Sequence, residues 1–467
     1  MAPPVDLKDL THEQKDALIL ELVARITVLE EILSKDSHNS SKPPSSDGFK
    51  RKPKSLRKTK PGAVGGQPGH PGKTLKRVAH PDHTVIHPVP THCDACGAAL
   101  DRDAAAVLPQ GRQVFDLPPL RLVVTQHHVQ GVVCRCGKAH CGQFPDAVGN
   151  AVQYGPAIRA TLVYLTQYQQ LPVHRTAQAV RDLFGVALSA GTIQNCINEA
   201  GQNLEVARQA ISAELHAAPV AHFDETSIRV GKSRHWLHVA STANVTWYGA
   251  HCQRGKPALD SMGILPQFKG VAVHDGWRPY ADYRCAHALC NAHHLRELIF
   301  VAETTGQPWA QQMIDLLLQA KAEADVSRSQ GKRSLKRQRI ADYHQRAQEL
   351  VQQGLDLNPR QERHQTDQHF GRIKQTFAYN LLARLKQYAK QVWRFIADHR
   401  VPFDNNQAER DLRMPKLKQK VSGCWRTQSG LDIYCIIRSY LATMRKQAKS
   451  PLYALTLAFS PNASLPL

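Results

Sequence analysis

A segment rich in Pro, Gly, Ser, Lys and Arg interrupts the chain between Ser37 and about Arg77. From Lys42 to Arg77 it carries eleven Lys or Arg residues and a single acidic residue, Asp47. Such a segment cannot bury a core, because it has few apolar side chains and its positive charges repel one another. We therefore predict a linker over residues 37–79, either an arm that follows DNA phosphates non-specifically or only a solubilising spacer.

The charge and length of the whole chain limit its partners. With 60 Lys plus Arg against 39 Asp plus Glu, the 467 residues carry a formal net charge of +21. This excess predicts nucleic acid as the partner, although a basic ribosomal or chromatin-type protein would share it. The length predicts about two to four domains. No apolar run is long enough to span a membrane and the N-terminus lacks a signal-peptide pattern, so we expect a cytoplasmic protein without a membrane partner.

Residues 1–36 predict a leucine-zipper-like helix. Thr11 is its N-cap and Gln14 completes a capping box. Apolar residues recur at steps of three and four, as in a coiled-coil seam: Ile19, Leu22, Ile26, Leu29 and Leu33. Because barely three heptads are present, the helix either packs on its own protein or self-associates. We favour a homo-oligomer, because the flexible segment that follows leaves the helix nothing local to pack on.

Paired cysteines mark a small module over residues 80–148. A CxxC pair and a CxC pair enclose short alternating runs such as RLVVTQHHVQGVV, which suit a small antiparallel sheet. Two thiolate pairs predict a tetrahedral structural Zn²⁺. The four predicted ligands are Cys93, Cys96, Cys134 and Cys136. His140 or Cys141 is an alternative to one member of the second pair. A redox CxxC is less favoured, because no βαβ pattern surrounds it.

Residues 149–215 predict helices. The run HRTAQAVRDLFGVALSAGTIQNCINEAG contains two helical patterns that are separated by Gly185 and Val186. Ser189 is positioned to cap the second helix. The pattern predicts either a helix-turn-helix that reads DNA or a helical hairpin that only packs.

After Pro219 the pattern changes to strands. VAHFDET, RHWLHVAS and NVTWYGAH predict adjacent antiparallel strands, and GVAVHDGW predicts a further buried strand. Asp224 and Asp275 each end one of these runs, where α/β sheets present catalytic side chains. Either residue alone is more simply a strand terminator or a turn residue. Residues 286–400 predict a helical block, in which Cys290, His293 and His294 are a weaker candidate for a second metal site.

The stretch from Pro402 to Gly430 predicts a short helix with one carboxylate and many cations. Asp404 is the predicted N-cap, and Pro415 should stop or kink the helix. Glu409 is then either a metal ligand or part of surface salt bridges. The residues predicted to hold a DNA backbone are Arg410, Arg413, Lys416 and Lys420. Trp425 is either a stacking platform for a base or part of the core.

The three carboxylates predict a metal centre if they converge. Asp224, Asp275 and Glu409 would offer hard oxygen ligands to two Mg²⁺ ions. Such ions activate a water or a 3′-hydroxyl and stabilise the leaving oxygen of an in-line displacement at phosphorus.

Motifs along nearly the whole chain resemble the insertion sequence 66 family of DDE transposases. They occur in the family's order and include NSSKPPSSDGF, LPVHRTAQAV, LSAGTIQN, HFDETSIRV, VHDGWRPY, LCNAHHLREL and NNQAERDLRMPKLKQKVSG. The last is long and specific. The chain departs from the family pattern at its CxC pair and at Pro415.

This resemblance implies a multidomain α+β protein: a coiled-coil-like helix, a zinc-binding β module, a helical DNA-binding region and a ribonuclease H-like α/β core. The core would span residues 216–440 with a helical insertion at about 286–400, followed by a tail over 441–467. Asp224, Asp275 and Glu409 would be the triad that binds Mg²⁺ or Mn²⁺.

The implied reaction is DNA cleavage at the ends of a bacterial mobile element, followed by transfer of the 3′-hydroxyl ends into target DNA. The implied partners are the element's terminal repeats, the target DNA and accessory proteins of the same element, at the bacterial nucleoid. The alternatives are a DNA-binding regulator or inactive derivative without strand chemistry, and a divalent-metal nuclease without strand transfer.

Overall fold

The computed structural model describes residues 11–36, 38–40, 75–103, 106, 111–118, 120–362 and 373–460. Most of the predicted basic linker therefore lies outside the described residues. The chain divides into two compact units. The larger comprises Met1–Ser55, Thr125–Asp182 and Val186–Leu467, and the smaller comprises Leu56–Val124 and Leu183–Gly185.

Helix α1 spans His12–Ser34 and confirms the predicted capping box. The Thr11 hydroxyl accepts the Gln14 backbone N–H at 3.2 Å, and the Gln14 side chain accepts the Thr11 N–H at 2.9 Å. The residues after α1 dock on helices further along the chain, although the sequence predicted nothing local for α1 to pack on. Lys35 Nζ lies 4.8 Å from the ring centroids of Phe300 and Phe377.

Among the described residues between α1 and residue 156, regular structure is limited to one short hairpin. Strands β1 (Gly131–Val133) and β2 (Ala139–Cys141) form an antiparallel hairpin. Only the last three residues of RLVVTQHHVQGVV are in a strand, so the predicted small sheet is limited to this hairpin in the described part of the module.

Five helical segments follow. They are α2 (Pro156–Val163), a π-helix (Tyr164–Tyr168), α3 (Val173–Phe184), α4 (Ala190–Asn203) and α5 (Glu205–Ala217). The Ser189 hydroxyl accepts the Thr192 N–H at 3.0 Å, which confirms Ser189 as the cap of α4. The predicted break at Gly185 is also confirmed.

The described residues form a five-stranded mixed sheet in the order β5-β4-β3-β6-β7. Its strands are β3 (Val220–Val230), β4 (Ser233–Ser241), β5 (Thr246–His251), β6 (Val271–His274) and β7 (Ala286–Leu289). The first three are antiparallel as predicted, and β3, β6 and β7 run parallel. β7 corrects the prediction of a helical block from residue 286. A strand of four residues is too short to show a period, so pairing with β6 decides its conformation.

Helices cover both faces of the sheet. On one face α5, α6 (Lys256–Met262) and α7 (Ile264–Gln267) pack on Phe223 and Trp247. On the other, α14 (Asn406–Ser422) and α15 (Gln428–Lys446) pack on Ile228 and Tyr248. Because side chains alternate along a strand, Phe223 lies on the first face and Asp224 on the second.

A helical layer is inserted between β7 and α14. It contains α8 (Asn291–Thr305), α9 (Pro308–Ser329), α10 (Arg337–Leu357), α11 (Phe377–Gln387), α12 (Ala389–Val392) and α13 (Arg394–Ala397). Its core includes Trp309 and Tyr343, each 1% exposed. The last described helix is α16 (Pro451–Ala458). Of the helices that the structure describes, none has the length and apolar composition to cross a membrane.

Helix α14 continues through Pro415, so of the two predicted outcomes, a stop or a kink, the stop is wrong. Proline has no N–H, so the carbonyl of Asp411, four residues earlier, loses its helical donor. The buried hydroxyl of Tyr248 on β5 supplies the missing hydrogen bond to that carbonyl at 2.7 Å. The helix also begins one residue later than predicted. Asn405 is its N-cap, and Asp404 Oδ1 accepts the Asn406 N–H at 3.1 Å.

We predict that Tyr248→Phe destabilises the protein and that Pro415→Ala removes most of this effect. The single substitution leaves the Asp411 carbonyl buried without a donor, at a cost of about 1–3 kcal/mol. Once alanine replaces the proline, its backbone N–H closes the helical bond itself. The measurement is a double-mutant cycle on urea unfolding, with the exposed Tyr453→Phe as control. Equal costs of Tyr248→Phe in both backgrounds would contradict the explanation.

Candidate active site

Asp224 and Asp275 lie side by side on neighbouring parallel strands. His222 of β3 pairs with Val273 of β6, and each aspartate is two residues further along its own strand direction. Asp275 directly follows β6, as predicted. Asp224 lies inside β3, opposite Val239, and not at the strand end. The reason is that β3 continues as the hairpin partner of β4 after its pairing with β6 has stopped.

Glu409, in the first turn of α14, completes a group of three carboxylates. Burial raises the pKa of Asp224 well above its usual value, and the negative charges of Glu225, Asp275 and Glu409 raise it further. The three predicted triad residues are therefore close enough for the charges of Asp275 and Glu409 to affect the protonation of Asp224. Their mutual repulsion is an electrostatic cost that a bound cation would remove.

The free oxygens of these carboxylates suit a hard divalent cation. Asp224 Oδ1 accepts the Glu225 N–H and Asp275 Oδ1 accepts the Trp277 N–H, both at 2.8 Å. Glu409 Oε1 is buried and has no hydrogen-bond partner among the described residues. An orphaned carboxylate oxygen beside two further carboxylates fits Mg²⁺ or Mn²⁺, which take oxygen ligands.

Two side chains on α8 face Glu409, the cationic Arg296 and His293, whose pKa is lowered by burial and by the charge of Arg296. Arg296 Nη2 lies 3.7 Å and His293 Nε2 lies 4.0 Å from Glu409 Oε1. Sequence analysis missed Arg296. The only signal for it was the LCNAHHLREL motif, in which Arg296 is one helical turn after His293. His294 points away into the core, where burial lowers its pKa to about 3.

Cys290, His293 and Glu409 also offer possible ligand atoms within 4.8 Å of one another. However, burial raises the pKa of Cys290 to about 12, so its thiol is protonated at neutral pH. Its Sγ also accepts the Asn405 N–H at 3.1 Å. The buried sulfur thus has a structural role, and the three carboxylates are the better set for a hard ion.

Asn405 joins β3 and α14, the elements that carry Asp224 and Glu409. Its Nδ2 donates to the Phe223 carbonyl at 2.8 Å, directly before Asp224. Its Oδ1 must then accept, so His222 Nδ1, at 2.8 Å, carries a hydrogen. These contacts fix the start of α14, and hence Glu409, against β3. They also explain why the Asn405 side chain does not cap its own helix.

Glu225 anchors the opposite face of the same strand. Its side chain is 2% exposed and binds Arg254 at 2.6 Å and the Tyr280 hydroxyl at 2.6 Å. The Arg254 guanidinium lies between the rings of Trp236 and Trp277, at 4.6 and 4.3 Å from their centroids. This arrangement holds the loop after Asp275 against β3.

Two buried histidines support the same loop. The Gly276 N–H donates to His274 Nδ1 at 3.0 Å, so His274 Nε2 carries the hydrogen and donates to His287 Nδ1 at 3.1 Å. His287 Nε2 then donates to the Tyr283 carbonyl at 3.0 Å. Each ring is neutral in this series of hydrogen bonds, and burial lowers the pKa of His274 to about 3. The series begins with the N–H of Gly276, the residue that follows Asp275.

The predicted DNA-binding cations differ in their exposure. Arg410, Arg413 and Lys420 are exposed. Lys416 is half-buried, and its Nζ donates to the Ser227 carbonyl at 2.6 Å, which fastens α14 to β3. Trp425 is 7% exposed and packs against Tyr434, so the core alternative is confirmed for it and base stacking is not.

Each predicted zinc-binding pair lies in a tight turn. The Gly97 N–H donates to the Cys93 carbonyl at 2.9 Å and the Gly137 N–H donates to the Cys134 carbonyl at 2.8 Å. Both glycines have positive φ, +73° and +86°. The backbone N–H groups of Cys96 and Cys136 lower the pKa of Cys93 and Cys134, respectively. The two pairs belong to different units, and the joint zinc site stays a prediction.

Comparison with known proteins adds two family matches. The model of the family described as Transposase IS66 family matches residues 151–433, which is more than half of the chain. A family of unknown function (DUF6444) matches residues 3–76. No curated protein matches the chain.

We predict opposite effects of removing two buried histidines. His238 is 3% exposed with a pKa lowered by burial to about 3, and neither ring nitrogen has a partner among the described residues. His238→Phe should therefore keep or raise the thermal midpoint at pH 7, since a small cavity of about 20 Å³ lies beside the ring. His274→Phe should lower the midpoint, because it orphans the Gly276 N–H and His287 Nδ1.

Both substitutions should make stability less sensitive to acid. Each histidine has a pKa near 3 in the folded protein and near 6.5 in the unfolded chain. Its full contribution to the free energy of unfolding is present above about pH 6.5, and this contribution is lost as the pH falls toward 3. Each substitution should reduce the slope of the free energy of unfolding against pH, in the range between those two pKa values, by the contribution of about one proton. Thermal melts from pH 7 to pH 4 measure both effects. A fall in midpoint for His238→Phe equal to that of His274→Phe would contradict the distinction.

Proposed function

The chain belongs to the IS66 family of transposases, and on that basis we propose that it is a DDE transposase that cleaves DNA at the ends of a mobile element and joins the 3′-hydroxyl ends to target DNA. The observation that supports the proposal is the placement of Asp224 and Asp275 side by side on adjacent parallel strands, with Glu409 on α14 near enough for its charge to raise the pKa of Asp224. A sheet of three antiparallel strands followed by two parallel strands supports a ribonuclease H-like core.

The carboxylates would hold Mg²⁺ or Mn²⁺, and such ions supply charge stabilisation for displacement at phosphorus and promote loss of a proton from the attacking oxygen. In the first step a water oxygen attacks the phosphorus, and the bond to the element's 3′-oxygen breaks and leaves a 3′-hydroxyl. In the second step that hydroxyl attacks a target phosphodiester and displaces the target's own 3′-oxygen. Each step exchanges one P–O bond for another and requires no oxidant or covalent enzyme intermediate.

Residues beside the carboxylates have distinct roles in this proposal. Asn405 and the Glu225–Arg254 pair hold the carboxylate-bearing elements in position. Arg296 compensates the charge of Glu409 when no cation is bound, and it would be available to a phosphate once a cation pairs with Glu409. The exposed Arg410, Arg413 and Lys420 would contact the DNA backbone, and Lys416 would act mainly as an anchor of α14.

The second partner we propose is another copy of the chain. All five residues of the α1 seam are exposed, from 46% at Leu22 to 76% at Leu33. Exposed apolar side chains at coiled-coil spacing are stabilised when a second helix covers them. The docked segment after α1 anchors this helix to the helical insertion, so pairing of α1 would link two catalytic regions.

We predict that Asp224→Asn, Asp275→Asn and Glu409→Gln each abolish cleavage while DNA binding remains. The loss should exceed about 100-fold, because removing even groups that only hydrogen-bond to metal ligands costs about 10–100-fold. Asp224→Asn should also keep or raise the thermal midpoint in EDTA, because it removes a repelled carboxylate. The assay is Mg²⁺-dependent cleavage and joining of DNA that carries the element's terminal repeats. The control is the exposed Glu349→Gln.

The same assay separates the alternatives. Cleavage that survives any one triad substitution would refute the site. DNA binding by the unaltered chain without cleavage in Mg²⁺ or Mn²⁺ would favour a regulator or inactive derivative. Cleavage without joining of pre-cut 3′-hydroxyl ends would favour a nuclease.

We predict that Leu22→Asp combined with Leu29→Asp reduces the oligomeric state of the full chain. Two charges in the seam would have to be buried in the paired helices, so pairing is lost. Light scattering after size-exclusion chromatography measures the mass. Ala17→Asp, an exposed change away from the seam, is the control. If the double variant keeps the mass of the unaltered chain, α1 is not the oligomerisation element.

A further inference from the structure

The structure places a buried and a half-buried cation together with no anionic partner among the described residues. Lys418 of α14 and Arg438 of α15 take no part in the ion pairs of the described residues. Arg438 is 4% exposed, and its Nε and Nη1 have no hydrogen-bond partner in the part of the chain that the structure describes. The two charges also repel each other. Burial and the charge of Arg438 lower the pKa of Lys418 to about 8.

The contacts around these cations compensate only part of the cost. Lys418 Nζ lies 5.3 Å from the ring centroid of Tyr434 and 3.5 Å from the Thr166 carbonyl. The Arg438 guanidinium lies 5.2 Å from the ring centroid of Tyr168. A cation–π contact contributes about 0.5–2 kcal/mol, whereas burying an unpaired charge costs several kcal/mol. The free protein therefore carries a local electrostatic cost at this place.

The backbone at the same place is unusual. Thr166 and Tyr168 belong to the π-helix that follows α2, and π-helices are concentrated at functional sites. Gln170, two residues after Tyr168, is buried and has a φ of +63°, in the left-handed region that non-glycine residues avoid. Such strain is retained where a precise backbone position has a function. The unpaired charges and the backbone strain are thus two independent observations at the same place.

We propose that Lys418 and Arg438 form a binding site for a phosphate-class oxyanion at the junction of the π-helix, α14 and α15. A phosphate would pair with both cations and accept the hydrogen bonds that Arg438 does not make in the free protein. In the working protein the oxyanion is a phosphate of the DNA backbone, because Lys418 lies on the helix that carries Glu409. This assignment to DNA rests on the proposed function, whereas binding of inorganic phosphate does not.

The test compares Lys418→Gln and Arg438→Gln in the full chain with Arg445→Gln, an exposed cation on the same helix α15. The first arm measures thermal midpoints in sodium phosphate and in sodium chloride of equal ionic strength. We expect phosphate to raise the midpoint of the unaltered chain and of Arg445→Gln but not of the two site variants. In chloride, the site variants should melt at the same or a higher temperature, because they remove an uncompensated buried charge.

The second arm measures binding to short duplex DNA as a function of salt. Each site variant should bind about tenfold more weakly and reduce the slope of log affinity against log salt by about 1. Binding is measured without cleavage, so an inactive protein does not affect this arm. A phosphate shift that the site variants lose, with an unchanged salt slope, would support the oxyanion site and assign it to free phosphate.

The proposal is overturned if the folded site variants match Arg445→Gln in both arms. It is also overturned if they melt lower in chloride yet keep the full phosphate shift, because the two cations would then be structural. Lys418→Gln alters the less buried of the two residues and serves if Arg438→Gln does not fold.

Discussion

The short parallel pairing of β3 with β6 is the contact on which the site depends. Three residue pairs, from Val220 with Val271 to His222 with Val273, set the register that places Asp224 beside Asp275. A shift by one residue would turn one of the aspartates to the opposite face of the sheet. Side-chain contacts on both faces of β3 stabilise this register. Asn405 holds one face of β3, and the Glu225, Arg254 and Tyr280 cluster holds the other.

Helix α14 departs from several local rules of helix formation, because contacts with distant residues decide its position. It contains a proline, its N-cap side chain bonds to a strand, and it carries both an orphaned carboxylate and a buried lysine. Tertiary contacts compensate some of these costs, as the Tyr248 hydroxyl does for the proline. Arg296 lies 3.7 Å from Glu409, whereas Lys418 takes part in no ion pair among the described residues. In our proposals a cation would bind at Glu409 and a phosphate at Lys418, which is the complement expected of a metal-dependent enzyme acting on DNA.

Sequence patterns that act over short distances were read correctly. The capping box of α1, the Ser189 cap of α4 and the three antiparallel strands all depend on neighbours within a few residues or on simple alternation. The errors occurred where a distant group decides. The strand β7 forms because β6 is available to pair with it. The two alternatives left open for Trp425 were likewise decided by distant groups, since Tyr434 and β3 cover its ring. Arg296 had no visible role until α8 was placed against α14.

The sequence by itself determined the chemistry of this protein: the three carboxylates, the excess of positive charge and the family to which the motifs belong. Those properties depend on residue types and their order, which require no geometry. Only the tertiary structure decided which lysine anchors α14. It also decided, within the described residues, that Glu409 Oε1 accepts no hydrogen bond and that Lys418 and Arg438 have no anionic partner. Burial and electrostatic interaction depend on distances between elements that are far apart in the chain, so they appear only when those elements pack.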